Sequence, residues 1–559
     1  MTDHDTILHN GNVITLDGAS RVTEAVAFRD GRISGVGEAT ALLKGKAPHT
    51  KVVDLDGKTV TPGMFDAHPH LDREGLKARG GIRIQGQETV ADIVETVRQA
   101  AARTPPGEWI VVMPMERQMG PYFDAFVNGP EQLKDGRYPD RHDLDKVAPD
   151  HPVYIRAVWG WWCRPPFPSV ANSAALKVAG ITAETPAPFN CEILKDGKGE
   201  PTGVFLERNH CPVLEYTILG CVPRFTYEDR VASVRLGVQL YSEVGTTACY
   251  EGHGLTPPLI DAYRQTEAEG GMTLKMHTPL SLPTSSLNNP QVADLLRTWA
   301  NAFGGPGSDG GLFRCEGVTF DMGQPDVAAI IGRGYPYEQW AGHFYQSVPL
   351  ERFVELGVMA AKLGIRVNCL ACYDLEALIK VYEEIDKQVS IRDKRWVMVH
   401  LMDGNEKLLK RMKKLGVIAT IIPNVMYWFP ERFGLDKLMD EGTPVRQCLD
   451  IGVPLALSSD NVPYSMFFVM WEALARWDEV EGRQLGATNL TREEALRCAM
   501  QSGHMLTFDE NKRGSLEVDK MADAIVIDED PLTCDEEKIK DIRVERTFLG
   551  GREVHRAEP

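Results

Sequence analysis

The sequence lacks any stretch approaching the ~20 consecutive apolar residues of a membrane span. It also lacks basic excess: 61 Lys and Arg stand against 79 Asp and Glu, a formal charge of -18. Such a surface repels phosphate backbones and anionic lipid, so neither nucleic acid nor a membrane surface is an expected partner. Met1 to Leu16 has no basic start and no apolar core of the kind a secretory signal needs, and a cytoplasmic location is expected. Cysteine is sparse and odd in number, 11 in 559 residues. Cys369 and Cys372 form a CxxC, but no second pair follows at zinc-ribbon spacing. Reduced thiols are therefore expected. No low-complexity tract or internal repeat stands out. Hydrophobic residues make up 43% and charged residues 25%, which excludes a disordered, collagen-like or disulfide-stapled chain.

Both ends of the chain read as short strands. "TILHNGNVITLDG", "EAVAFRDGRISGVG" and "KVVDLDGKTVTPG" alternate apolar and polar residues. They turn at Asn-Gly and Asp-Gly pairs, which supply the positive φ of tight hairpins. "GSLEVDKMADAIVIDEDP" and "IRVERTFLGGREVHR" repeat the pattern near the C-terminus. One small β-sandwich built from both ends is expected, from residues 1–60 and 508–559. Between them, over 61–507, short apolar runs alternate with helical periodicity, the pattern of a parallel sheet. Some seven such repeats can be placed, and eight would close a (β/α)8 barrel. Residues 75–235 break the rhythm with Pro, Gly and aromatic clusters, and read as a large insertion near the barrel mouth. The expected fold is α/β: a distorted TIM barrel with that insertion, plus the β-sandwich.

Three features carry chemistry. In "VTPGMFDAHPH", His68 and His70 are two apart after an apolar run, so on a strand both would point to one face. In "RWVMVHLMD", His400 is the polar residue near the end of an apolar strand. In "GVPLALSSDNVP", Asp460 follows another strand. Each has an ordinary alternative: surface loop histidines, a core histidine on a carbonyl, a helix N-cap. Together they set imidazoles and a carboxylate at the ends of three strands, where barrel active sites lie. That donor set suits zinc or a similar divalent ion.

The order "PGMFDAHPH", a later strand-end His and then "SSD" resembles the amidohydrolase superfamily. "HPVYIRAVW", "ANSAALKVAGI" and "DGKGEPTGVFLE" resemble its YtcJ-like branch, amidohydrolase family 3. The resemblance spans nearly the whole chain. It implies a distorted barrel on a β-sandwich, with metal-activated water attacking a C–N or related bond. It further implies that His68 and His70 are first-strand ligands, His400 the sixth-strand His, and Asp460 the eighth-strand Asp that touches metal and moves a proton. Two positions depart from the branch. Its fifth-strand "HAIGD" is here Leu370-Ala371-Cys372-Tyr373-Asp374, so the usual ligand His is Leu370. The fourth-strand region is "CEGVTFDMG", with no Lys to carboxylate. One metal per chain is expected, zinc foremost with Mn or Fe as alternatives. Glu251, read as ending the third strand, is a replacement ligand; His253, His277 and Cys369 are weaker ones.

Aromatic residues cluster after several strands. Trp159, Trp162, Arg164, Tyr427 and Trp428 are expected to line a pocket for a small apolar or aromatic substrate. Hydrolysis of an amide, formamide, carbamate or cyclic amide is the main reading, with Asp460 and His400 as the catalytic residues. A mononuclear decarboxylase or lyase and a non-catalytic partner subunit are the alternatives. A homodimer is expected by analogy with the branch.

Overall fold

The computed structural model describes residues 3–558 apart from 80–81, 85, 119–123, 128, 158–164, 209–212, 303–310, 323–341, 345–346, 372–373, 429 and 488–489. The chain forms two compact units: Met1–Leu71 with Gly237–Pro325 and Gln346–Pro559, and Asp72–Leu236 with Asp326–Tyr345. No helix among the described residues is long and apolar enough to cross a membrane.

The first unit holds an eight-stranded parallel sheet. Its strands are β1 (Met64–Asp66), β2 (Thr246–Tyr250), β3 (Lys275–Ser281), β4 (Phe313–Thr319), β5 (Val367–Leu370), β6 (Val397–Val399), β7 (Ile418–Ile421) and β8 (Leu455–Leu457), each hydrogen-bonded to the next in sequence order. Eight repeats thus stand where the sequence pattern places seven. β1, β6 and β8, which carry the candidate site residues at their ends, are only three residues long. The strands are buried nearly throughout, as a parallel sheet covered on both faces requires. Helices α1 (Pro257–Ala268), α2 (Asn289–Ala302), α3 (Leu350–Lys362), α4 (Leu375–Gln388), α5 (Glu406–Leu415) and α6 (Val445–Ile451) fill the crossovers. Their ends carry ordinary caps. Asp374 accepts the Ala377 N–H at 2.8 Å to start α4. Asn405 accepts from Leu408 at 3.1 Å to start α5, and Gly416 ends α5 at φ 66, a conformation glycine adopts without Cβ strain.

The barrel closes between β1 and β8. The Ala67 N–H donates to the Leu457 carbonyl at 3.0 Å, and the Asp460 N–H to the His68 carbonyl at 2.9 Å. Asp66 completes the closure: one carboxylate oxygen accepts from the backbone N–H groups of His68 and Ser459, each at 3.0 Å, and the other accepts from the Ser459 hydroxyl.

Strands from both chain ends build two further sheets in the same unit. Thr59–Pro62 pairs antiparallel with Ala524–Ile527, which pairs with Val544–Leu549. A four-stranded sheet runs Arg32–Gly37, Ala25–Arg29, His4–His9, Lys46–Asp54. Leu8, Val26, Phe28, Val60, Val526 and Phe548 pack into one core drawn from both ends, the buried apolar seam of a sandwich.

The second unit has its own seven-stranded mixed sheet, built around Ile110–Gln118, Val153–Ile155, Phe167–Ala171 and Pro201–Glu207. Ile93, Val97, Ile110 and Val153 pack into one of its cores, Tyr154, Leu176, Phe205 and Leu214 into another. The stretch "ANSAALKVAG" becomes helix Ser173–Ala179, capped by Asn172 and ended by Gly180 at φ 67.

Candidate metal centre

His68 and His70 do not lie on a strand. β1 ends at Asp66, and the two histidines occupy the turn that follows. Strand alternation therefore does not bring them together. Their convergence comes from the backbone: His70 sits at φ 47. His400, just past β6, is at φ 59, and Asp460, past β8, is at φ 48 with Asn461 at φ 56. Left-handed backbone at non-glycine residues costs on the order of 1–3 kcal/mol each and collects at functional sites. Here it occurs at three of the residues whose side chains meet.

The meeting is close. His68 Nε2 and His70 Nε2 are 2.8 Å apart. Asp460 Oδ1 lies 2.9 Å from His70 Nε2 and 3.7 Å from His68 Nε2. His400 Nε2 is 4.0 Å from Asp460 Oδ2 and 3.4 Å from His253 Nε2. Two overlapping ligand groups result: His68, His70 and His253, and His68, His400 and Asp460. All five side chains are buried. Donors 2.0–2.1 Å from a tetrahedral zinc stand about 3.3 Å from one another, and the observed separations of 2.8–4.0 Å bracket that value. Several imidazoles aimed at one buried carboxylate is a donor set that a divalent cation satisfies.

Glu251 follows β2, not a third strand, and stays outside both ligand groups. Its Oε2 accepts the His70 backbone N–H at 3.1 Å and lies 3.1 Å from His70 Nδ1. Its Oε1 accepts the His253 N–H at 3.1 Å. A carboxylate on Nδ1 fixes the tautomer that leaves Nε2 free to ligate. Its neighbour Gly252 is required by space: a Cβ there would stand 2.1 Å from His68 Nδ1. His253, one of the weaker candidates in the sequence, belongs to the cluster. Asp66 carries no signal in the sequence, although it holds both site-bearing turns. Burial pushes its carboxyl up to about 7.

The two departures from the branch face each other. Leu370 ends β5, and its N–H donates to Asp321 Oδ1 at 3.1 Å. Asp321 follows β4, and burial pushes its carboxyl up to about 7. Cys369 is buried in β5 and His277 in β3; neither joins a ligand group. Of the expected substrate contacts, Trp159, Trp162 and Arg164 lie outside the described residues. Tyr427 is buried with its ring against Trp428, Phe468 and Trp471 at 4.7–6.0 Å. Trp428 Nε1 donates to the Val462 carbonyl at 3.2 Å, and Asn424 Nδ2 to the Ser459 and Val462 carbonyls at 3.1 and 3.0 Å. Both side chains thus brace the loop that carries Asp460.

Residues 51–555 match the amidohydrolase family. The chain belongs to that family. As an amidohydrolase it is a hydrolase of carbon–nitrogen bonds, with the metal-dependent chemistry of its superfamily. It is 28% identical over 565 residues to an N-substituted formamide deformylase of Arthrobacter pascens, covering 98% of this chain and 97% of the relative. It is 23% identical to YtcJ of Bacillus subtilis over 98% of this chain and 99% of that protein. Among solved structures, an uncharacterized metal-dependent hydrolase from Pyrococcus horikoshii superposes with a TM-score of 0.65 at 18% identity, covering 95% of this chain and 99% of the other. That likeness concerns the fold.

Proposed function

We propose that this amidohydrolase cleaves the amide bond of a small N-substituted formamide or a similar apolar or aromatic amide. One divalent ion, zinc foremost, would be held by His68, His70 and Asp460, with His253 and His400 facing the same space. The observation that carries this reading is the convergence of His68, His70, His400 and Asp460 at the carboxyl ends of three barrel strands. Likeness over the whole chain to a formamide deformylase supports the substrate class.

The bound ion supplies Lewis acidity and lowers the pKa of a water. The chain's own residues do the rest. Asp460 accepts a proton from the attacking water and returns it to the departing nitrogen. His400 donates a hydrogen bond to the carbonyl oxygen as charge builds there. Glu251 holds His70 in register through Nδ1, and Asp66 holds the turns of His68 and Asp460 together.

The test is incubation of the purified protein with N-benzylformamide and N-butylformamide, an aromatic and an aliphatic case. Formate and the free amine should appear in equal amounts, with oxygen from labelled water in the formate. A chelator should abolish turnover and added Zn²⁺ restore it. Bound metal without hydrolysis of either compound would overturn the substrate class, and protein that binds no divalent ion would overturn the centre.

A further inference from the structure

The Gly252 peptide joins two residues of the centre. Glu251 on one side holds the His70 ring and backbone, and His253 on the other belongs to a ligand group. Glycine has more backbone freedom than any other residue, so a turn built on it is aimed only if something outside the turn fixes the peptide.

Asn368 does so. Its Nδ2 donates to the Gly252 carbonyl at 2.9 Å, and its Oδ1 accepts from the Tyr250 hydroxyl at 2.9 Å. The partners decide which amide atom faces which way: a carbonyl only accepts, so the nitrogen is the atom on Gly252. Burial pushes the Tyr250 phenol up to about 12, so its hydroxyl keeps the proton it donates. Asn368 and Tyr250 are both fully buried. Tyr250 ends β2 and Asn368 lies in β5. Those strands stand three places apart in the sheet, so the two side chains meet across the barrel interior and not along a ladder. A buried amide is costly unless its polar atoms are paired, and here one of its two bonds lands on the carbonyl between Glu251 and His253. On β5, Asn368 and Leu370 are two apart and share a face. The strand that carries Leu370 where the branch has a ligand His thus still reaches the centre, two residues earlier.

We propose that Asn368 is a positioning residue for the metal centre. By holding the Gly252 carbonyl it sets where Glu251 and His253 stand, and through Glu251 the ring of His70. The fifth strand serves the centre with a brace in place of a ligand. This inference rests on the proposed centre and is independent of the substrate class.

Zinc affinity of the full-length, metal-stripped protein, read by competition with a chromophoric chelator beside a thermal melt, tests it. Asn368→Leu fills a similar volume without the donor. Asn368→Thr suits a strand, but its hydroxyl stops one bond short of the lost nitrogen. Each should weaken zinc by about tenfold or more. Tyr250→Phe removes the other half of the network and leaves the bond to Gly252. It should lower Tm while zinc affinity stays near that of the unaltered chain, which separates the tether from a general loosening of the barrel. Unchanged zinc affinity in a folded Asn368→Leu or Asn368→Thr protein would overturn the proposal. So would a Tyr250→Phe protein that loses as much affinity as they do. An unaltered chain that takes up no zinc would instead overturn the centre itself, and the brace with it.

Discussion

Glu251 Oε2 lies 3.1 Å from His70 Nδ1, on the side of the ring opposite the Nε2 that faces Asp460 at 2.9 Å. The carboxylate thus sets the ring's proton and its aim. Glu251→Gln keeps the shape but loses the charge that holds Nδ1–H. It should lower metal affinity by about 10–100-fold, measured by competition with a chromophoric chelator, with little change in the far-UV circular dichroism.

Asp460 is assigned the proton transfers. Asp460→Asn should reduce kcat by roughly 10²–10⁴-fold while the unfolding transition stays near that of the unaltered protein. Steady-state kinetics beside a thermal melt checks both halves. A variant with near-native turnover would remove Asp460 from this role.

Gly252 makes room for His68. A Cβ there would stand 2.1 Å from His68 Nδ1 and 2.9 Å from a Val399 methyl. Both neighbours are buried, so the ring has to move. Gly252→Ala should yield folded protein with reduced metal content and activity, seen by elemental analysis of the purified variant.

Glu553 should make the sandwich sensitive to acid. Its partial burial favours the neutral form, but hydrogen bonds from Arg556 and Lys51 outweigh this and hold its pKa at about 2, against an ordinary 4.5. Lys51 lies on the four-stranded sheet and Glu553 on the other. A depressed folded-state pKa stabilises the protein above the unfolded value. That contribution is lost as pH falls from about 4.5 toward 2. Glu553→Gln should lower Tm at pH 7 by a small amount, roughly 1 °C for a solvent-screened group. The difference from the unaltered protein should shrink as the melts are repeated toward pH 3.

The sequence by itself determined the fold class. Asn-Gly and Asp-Gly turns among alternating residues mark the terminal strands, and apolar runs followed by helical periodicity mark the barrel. These signals are local, and local propensity and global fold agree here. It also marked His68, His70, His400 and Asp460, because polar residues at the ends of apolar strands are out of pattern.

Tertiary structure decided how those residues meet. The convergence of His68 with His70 comes from a left-handed turn, not from strand alternation, and φ is not legible from residue type. Glu251 stands out in the sequence because charge after a buried strand is out of pattern; only folding sets its oxygens on the backbone N–H groups of His70 and His253 and beside His70 Nδ1. Asp66 is not legible locally because its partner Ser459 becomes a neighbour only when β1 meets β8. Barrel closure joins residues nearly 400 positions apart. The identities of the groups are written locally, but their distances are set by that closure.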